Sequence, residues 1–221
     1  MTVPCLPILS LLETRVLGVL CEKQHTVPDT YPLSLNALVA GCNQKTSRHP
    51  LIEVSEADVL SAIDSLKGPA LIVESSGGRV TRYAHNMERG LRLPSQSIAL
   101  LTALMLRGPQ TLGELRINSE RLHRFADIST VEGFLQELAA RPEGAMVVEL
   151  PRQPGARETR WAHLLSGTPV IEDTPAAASL VGAASAGEIA ALKANVARLE
   201  AEVDALKGVV GKLCAELGVS D

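Results

Sequence analysis

The chain has 221 residues, 46% of them hydrophobic and only 2% aromatic, with 21 Lys and Arg against 25 Asp and Glu for a formal net charge of −4. That hydrophobic content excludes an intrinsically disordered chain and requires cores built from Leu, Val, Ile and Ala, while the near balance of charge excludes a nucleic-acid binder that works by bulk positive charge. No apolar run approaches the ~20 residues of a membrane span, and Cys5, Cys21, Cys42 and Cys214 are scattered without a C-x-x-C pair or an opening signal segment, so a reducing, cytoplasmic setting is expected.

Leu11, Leu12, Val16, Leu17, Val19 and Leu20 recur at helical spacing among Glu13, Arg15, Glu22 and Lys23, which predicts a first helix. Pro28 and Pro32 end the connection after it, and Ser34 is placed to cap a second helix running to about Cys42. Ser55 caps a third, whose buried stripe is Val59, Ile63 and Leu66 and which Gly68 and Pro69 stop. The stretch "ALIVESSGGRVTRYAH" then reads as two β-rich runs around a glycine turn, a hairpin. Three helices followed by a hairpin predict a winged helix.

The pattern then repeats. "PLSLNAL" (32–38) returns as "PQTLGEL" (109–115), and "TRYAH" (81–85) returns as "TRWAH" (159–163), so the chain is internally duplicated. The second copy places helix one over 97–106, helix two from Thr111, helix three over about 129–140 with Val131, Leu135 and Leu138 in the same stripe, and a longer hairpin in "MVVELPRQPGARETRWAHL". In strand alternation Tyr83 and Trp161 point beneath their hairpins as core plugs, with ligand stacking as the alternative. The expected fold is α+β, mainly α: winged helices at 8–88 and 94–166, a linker at 167–186 rich in small residues, Pro and Gly, and a coiled-coil helix at 187–219. The coil is read from a heptad seam with Ile189, Val196, Val203, Val210 and Leu217 at a and Leu192, Leu199, Leu206 and Leu213 at d. β-Branched a positions with Leu at d favour a parallel pair of helices, and Glu188 with Lys193 and Glu202 with Lys207 attract across it, so the chain is expected to be a homodimer. Packing of this helix on its own chain is the alternative.

The stretch "LLETRVLGVLCEKQHTVPDTYPLSLNALVAGCNQKTSRHP", the later "LRGPQTLGEL" with "RLHRFADI", and "TRWAHLL" closely resemble the YceH family of uncharacterised bacterial proteins, over roughly residues 8–166 plus a variable coiled tail. The resemblance implies tandem winged helices and no particular reaction or ligand.

Winged helices usually place helix three in the DNA major groove. Here that helix carries Glu56, Asp58 and Asp64 in the first copy and Glu132 and Glu137 in the second, and acidic helices repel phosphate. Positive charge lies elsewhere: Arg79 and Arg82 on the first hairpin, Arg152, Arg157 and Arg160 on the second, Lys45 and Arg48 after the first copy's helix two, and Arg121 and Arg124 after the second's. These nine are the candidate nucleic-acid contacts; the alternative is that they are solvated or paired within the fold. The run "GCNQKTSRHP" is either a contact surface for a partner or phosphate, or a set of amides and hydroxyls that cap helix ends.

Cys21 and His25 share a helix face but fall short of a zinc site, and a buried thiol beside a surface imidazole is expected. Neither nucleotide-binding glycine loops nor hydrolase motifs are present, and five aromatics make a poor base-stacking platform. The sequence therefore predicts a non-catalytic protein without cofactor or metal. Its expected partners are a second copy of itself and either DNA or a protein, the latter as in segregation and condensation protein B, whose architecture is similar without shared motifs.

Overall fold

In the computed structural model, which describes residues 8–76 and 80–169, the chain enters its first helix through Ser10. The Ser10 hydroxyl accepts from the Glu13 amide and the Glu13 carboxylate accepts from the Ser10 amide, a reciprocal cap that starts α1 (Leu11–Thr26). A single 3-10 turn at Pro28–Thr30 and the two-residue strand β1 (Leu33–Ser34) lead into α2 (Leu35–Cys42), where Ser34 accepts from the Ala37 amide. Ser55 and Asp58 form a second reciprocal cap on α3 (Glu56–Lys67), which buries Val59, Ala62, Ile63 and Leu66. Strands β2 (Ile72–Ser75) and β3 (Arg82–His85) follow. A short helix, α4 (Met87–Leu91), joins this half to α5 (Ser95–Arg107), α6 (Leu112–Asn118), α7 (Ile128–Ala139), β4 (Val147–Leu150) and β5 (Arg160–His163). Thr111 caps α6 with Glu114, and Asp127 caps α7. The described residues thus form a mixed α+β fold, mainly helical, with seven helices and two small antiparallel sheets. The C-terminal heptads and nearly all of the expected linker lie outside the described residues.

The sheets explain why two words recur together. β3 pairs with β2 and also with β1, putting Leu33 opposite Tyr83, and β5 pairs with β4 while Gln110 bridges Trp161. Gln110 and Trp161 exchange both backbone hydrogen bonds, at 3.0 and 2.7 Å. In each half, therefore, the residue just ahead of the capping Ser34 or Thr111 is stitched to the aromatic of the Thr-Arg-aromatic-Ala-His word. One word is the hydrogen-bonding partner of the other. Tyr83 and Trp161 are each 6% exposed, core plugs as alternation predicts.

The two halves share one core. α1 packs more extensively on α5 than on any helix of its own half, and buried residues of both halves form one continuous cluster. As a result α1 buries Thr14 through Cys21 without a break and α5 buries Ser97 through Leu106, so neither has the polar face of a surface helix. Gly18 permits the approach: a Cβ there would sit 2.8 Å from Cδ2 of Leu106. Two elements depart from the sequence expectation. α4 is too short to show a period and buries only Met87 and Leu91, and β1 is recognisable as a strand only through its pairing with β3.

The final His of each repeated word is a neutral ring. Burial, with the charge of nearby His25, lowers the His85 imidazole from 6.5 to about 4, and burial lowers His163 to about 4. His85 Nδ1 accepts from the Met87 amide, which leaves Nε2 to donate to the Gln24 side chain. The unfolded chain takes up a proton on each ring as the pH falls through 6.5, whereas the folded chain resists until about 4. The stability these rings contribute is therefore complete above the unfolded value and is lost between the two. The urea midpoint is expected to fall from pH 7.5 to pH 5.0, and to fall less in a His85→Gln, His163→Gln variant measured alongside. Gly18→Val is expected to cost about 2 kcal/mol by overpacking the α1–α5 contact. Gly113→Ala, in α6 with open space around its added methyl, is expected to gain about 0.5 kcal/mol in the same urea titration.

Candidate functional site

The polar run after α2 is mostly spent on the fold. Asn43 clamps Val54, its amide donating to the Val54 carbonyl and its oxygen accepting the Val54 N–H, both at 2.9 Å. Arg48, expected from sequence to be a surface cation facing nucleic acid, is instead 6% exposed. Its two terminal nitrogens donate to the Glu22 carboxylate at 3.1 and 2.6 Å, and Nε donates to the Gly41 carbonyl at the end of α2. Glu22 is 26 residues away in sequence, which is why the run itself gave no sign of the pair. Burial opposes ionisation of Glu22, but the hydrogen bonds and charge of Arg48, helped by Lys23, outweigh it and hold the carboxyl below its usual range. Arg48 is thus removed from the contact set.

Beside it lies a residue that sequence reasoning passed over. Arg15 is fully buried in α1 and donates to the carbonyls of Cys42 at 3.2 Å and Pro50 at 2.6 Å, with Nε unpartnered among the described residues. Burial pushes its pKa down and the charge of Arg48 adds to that, yet a guanidinium stays protonated at neutral pH. Two buried cations therefore fasten the 43–50 segment to α1, one through a carboxylate and one through carbonyls. Only an Arg among apolar neighbours in the α1 pattern hinted at this.

The other flagged cations sort into three groups. Arg82 donates to the carbonyls of Thr30 at 3.2 Å and Pro32 at 2.7 Å, which ties its strand to the turn before β1, and Arg79 lies outside the described residues. Arg152 and Arg157 are exposed in the long connection from β4 to β5, with Arg160 half-buried where β5 begins. Lys45 is exposed in the 43–50 segment, and Arg121 and Arg124 are exposed after α6, flanking His123, whose ring meets Phe125 edge-on. Among the described residues no carboxylate forms an ion pair with Lys45, Arg121, Arg124, Arg152, Arg157 or Arg160. The third helices present the opposite sign: Glu56 on α3 and Glu132 and Glu137 on α7 are exposed, whereas Asp58 is used in its cap and Asp64 pairs with Lys67.

Where the 43–50 segment meets the second half there is a cleft of about 520 Å³. Its walls are the last turns of α1 (Glu22, Lys23), Thr46 and Ser47, the end of α5 (Arg107), and the end of α6 with the residues after it (Asn118, Arg121). The His49 amide donates to the Leu106 carbonyl at 2.8 Å and Arg107 donates to the Ser47 hydroxyl at 2.8 Å, so the segment of one half is fastened to the helix end of the other. Ser47 holds a left-handed backbone, φ 58°, which a serine rarely adopts.

The thiols are placed for packing. Burial raises Cys21 to about 11 and Cys42 to about 12, which leaves both protonated and unreactive at neutral pH, while His25 is exposed. Among the described residues no three His, Cys, Asp or Glu side chains gather as metal ligands, and no helix is long and apolar enough to cross a membrane.

A family described as a protein of unknown function, DUF480, matches residues 9–156. A UPF0502 protein of Dechloromonas aromatica is 62% identical over 204 residues, 92% of this chain and 95% of its own length. A UPF0502 protein of Methylibium petroleiphilum is 60% identical over 97% of this chain and 92% of its own length, and one of Burkholderia pseudomallei is 58% identical over 98% and 92%. With the family match spanning two thirds of the sequence and these relatives covering almost all of it, the chain belongs to the DUF480/UPF0502 family of bacterial proteins.

Proposed function

We propose that the two halves are winged-helix units in tandem and that the chain is a non-catalytic protein that contacts DNA. The contact is made through the β4–β5 hairpin, with Lys45, Arg121 and Arg124 as further phosphate contacts. The observation that carries this is the exposed connection from β4 to β5, where Arg152 and Arg157 stand without carboxylate partners among the described residues and Arg160 sits at the base. Phosphate contacts need cations free to reach them, and these remain after Arg48, neutralised by Glu22, and Arg82, held by the Thr30 and Pro32 carbonyls, are set aside. The acidic α3 and α7 argue against the usual recognition-helix mode and for contact by the hairpin. The C-terminal heptads, read from sequence, make the binding unit a dimer and bring two such hairpins to one duplex.

A second reading has its own support. α3 and α7 expose Leu60 at 38% and Ile128 at 47% beside their carboxylates, a mixed surface suited to a protein partner rather than to phosphate. DNA contact is tested by fluorescence anisotropy with random-sequence duplex. With each hairpin arginine neutralising one phosphate, one hairpin contributes a factor of about 40 to the loss of affinity between 50 and 200 mM salt, and in Arg152→Ala, Arg157→Ala, where two of its contacts are gone, that contribution falls to a factor of about 4. A double variant with unchanged affinity and unchanged salt slope would sink the hairpin proposal. Light scattering of the full chain is expected to give twice the monomer mass, falling to the monomer mass in Leu199→Glu, Leu206→Glu.

A further inference from the structure

We propose that the cleft between α1, the 43–50 segment, α5 and the end of α6 binds a small phosphorylated, hydroxyl-rich molecule of the sugar-phosphate class. Cations set the charge. Arg107 is half-buried at the end of α5, and its one hydrogen-bond partner among the described residues is the neutral Ser47 hydroxyl. Burial lowers the pKa of this cation, and the nearby charge of Glu22 favours it but is shared with Arg48, whose own charge opposes it. An incoming dianion offsets the cost of its withdrawal from water. Lys23, 23% exposed, is 3.4 Å from Glu22, but both oxygens of that carboxylate are already engaged by Arg48. Arg121 is exposed on the wall supplied by the second half. The other lining carboxylate, Glu120, is exposed. Lys23, Arg107 and Arg121 thus outnumber the one carboxylate not already held, and the guanidinium fork of Arg107 matches phosphate oxygens.

Neutral groups supply the rest. The Thr46 hydroxyl accepts from the Gln44 amide at 3.2 Å and the Ser47 hydroxyl accepts from Arg107, so each keeps its own proton to donate. The Asn118 amide nitrogen donates to Gln110 at 2.6 Å, which leaves its oxygen to accept from a ligand hydroxyl. The left-handed backbone at Ser47 is the kind of local strain that clusters at ligand clamps. A volume of about 520 Å³ is far more than a bare phosphate fills and lies within the range of small-molecule sites. Among the described residues no aromatic lines it, so they offer no platform for a stacked nucleobase.

The site does not depend on DNA contact, and its test is separate. Thermal unfolding of the full chain, followed by circular dichroism, is measured with 5 mM glucose 6-phosphate, ribose 5-phosphate or glycerol 3-phosphate. Inorganic phosphate, glucose, citrate and sodium chloride at matched ionic strength are the controls. At least one sugar phosphate is expected to raise the midpoint by about 3 °C, as for a ligand present near ten times its Kd, with smaller shifts from the controls. Titration calorimetry with that compound should show affinity at least tenfold weaker in Arg107→Gln and in Arg121→Glu. Arg121 is exposed, so its variant keeps the unliganded midpoint and decides the matter even if Arg107→Gln unfolds. The proposal is overturned by no shift from any sugar phosphate, by an equal shift from citrate or inorganic phosphate, or by undiminished affinity in Arg121→Glu.

Discussion

The contact on which the rest of this molecule depends is the packing of α1 against α5, closest where the bare backbone of Gly18 meets Leu106. Because each helix is buried on all sides over its central turns, neither half can complete its core without the other. The same contact brings the end of α5 beneath the 43–50 segment, where the Leu106 carbonyl takes the His49 amide and Arg107 meets Ser47. The helix crossing therefore creates both the joint and the cleft beside it.

Charge in this protein is divided by burial rather than by sequence position. Arg48 stands in a polar run and Arg15 in the apolar pattern of α1, yet both are among the most enclosed side chains, and they hold the segment after α2 in place. Removing Glu22 would leave Arg48 buried without a carboxylate, a cost of about 3–5 kcal/mol for such pairs, whereas Glu22 without Arg48 keeps Lys23 at 3.4 Å. The cations on the β4–β5 connection and after α6 have no such duty, which is why they remain available for an anion.

Local signals were legible in the sequence. Ser34 and Ser55 cap helices where they were expected to, because capping depends on residues only three apart, and the stripes Val59–Ile63–Leu66 and Val131–Leu135–Leu138 are buried as their spacing predicts. The duplicated words were legible too, and so was the burial of Tyr83 and Trp161. What could not be read is long-range. That the words pair with each other, that α1 seats on α5, and that Glu22 claims Arg48 all depend on residues far apart in sequence whose meeting leaves no local period. The cleft was half visible: the run 43–50 stood out as unusual, but its opposite wall at Arg107, Asn118 and Arg121 did not.

The α1–α5 contact sets the first helix of one half against the first helix of the other. Like against like is also how two identical subunits meet across a two-fold axis, but here the two copies of the duplicated pattern belong to one polypeptide. Covalent union releases the copies from self-complementarity. One side could become glycine at the crossing while the other kept leucine, and the bridge opposite the aromatic could be apolar Leu33 in one half and hydrogen-bonded Gln110 in the other. Such a pair can grow a lopsided pocket at its seam, with one half giving Lys23 and Ser47 and the other Arg107 and Arg121, which a symmetric dimer would have to build twice or not at all.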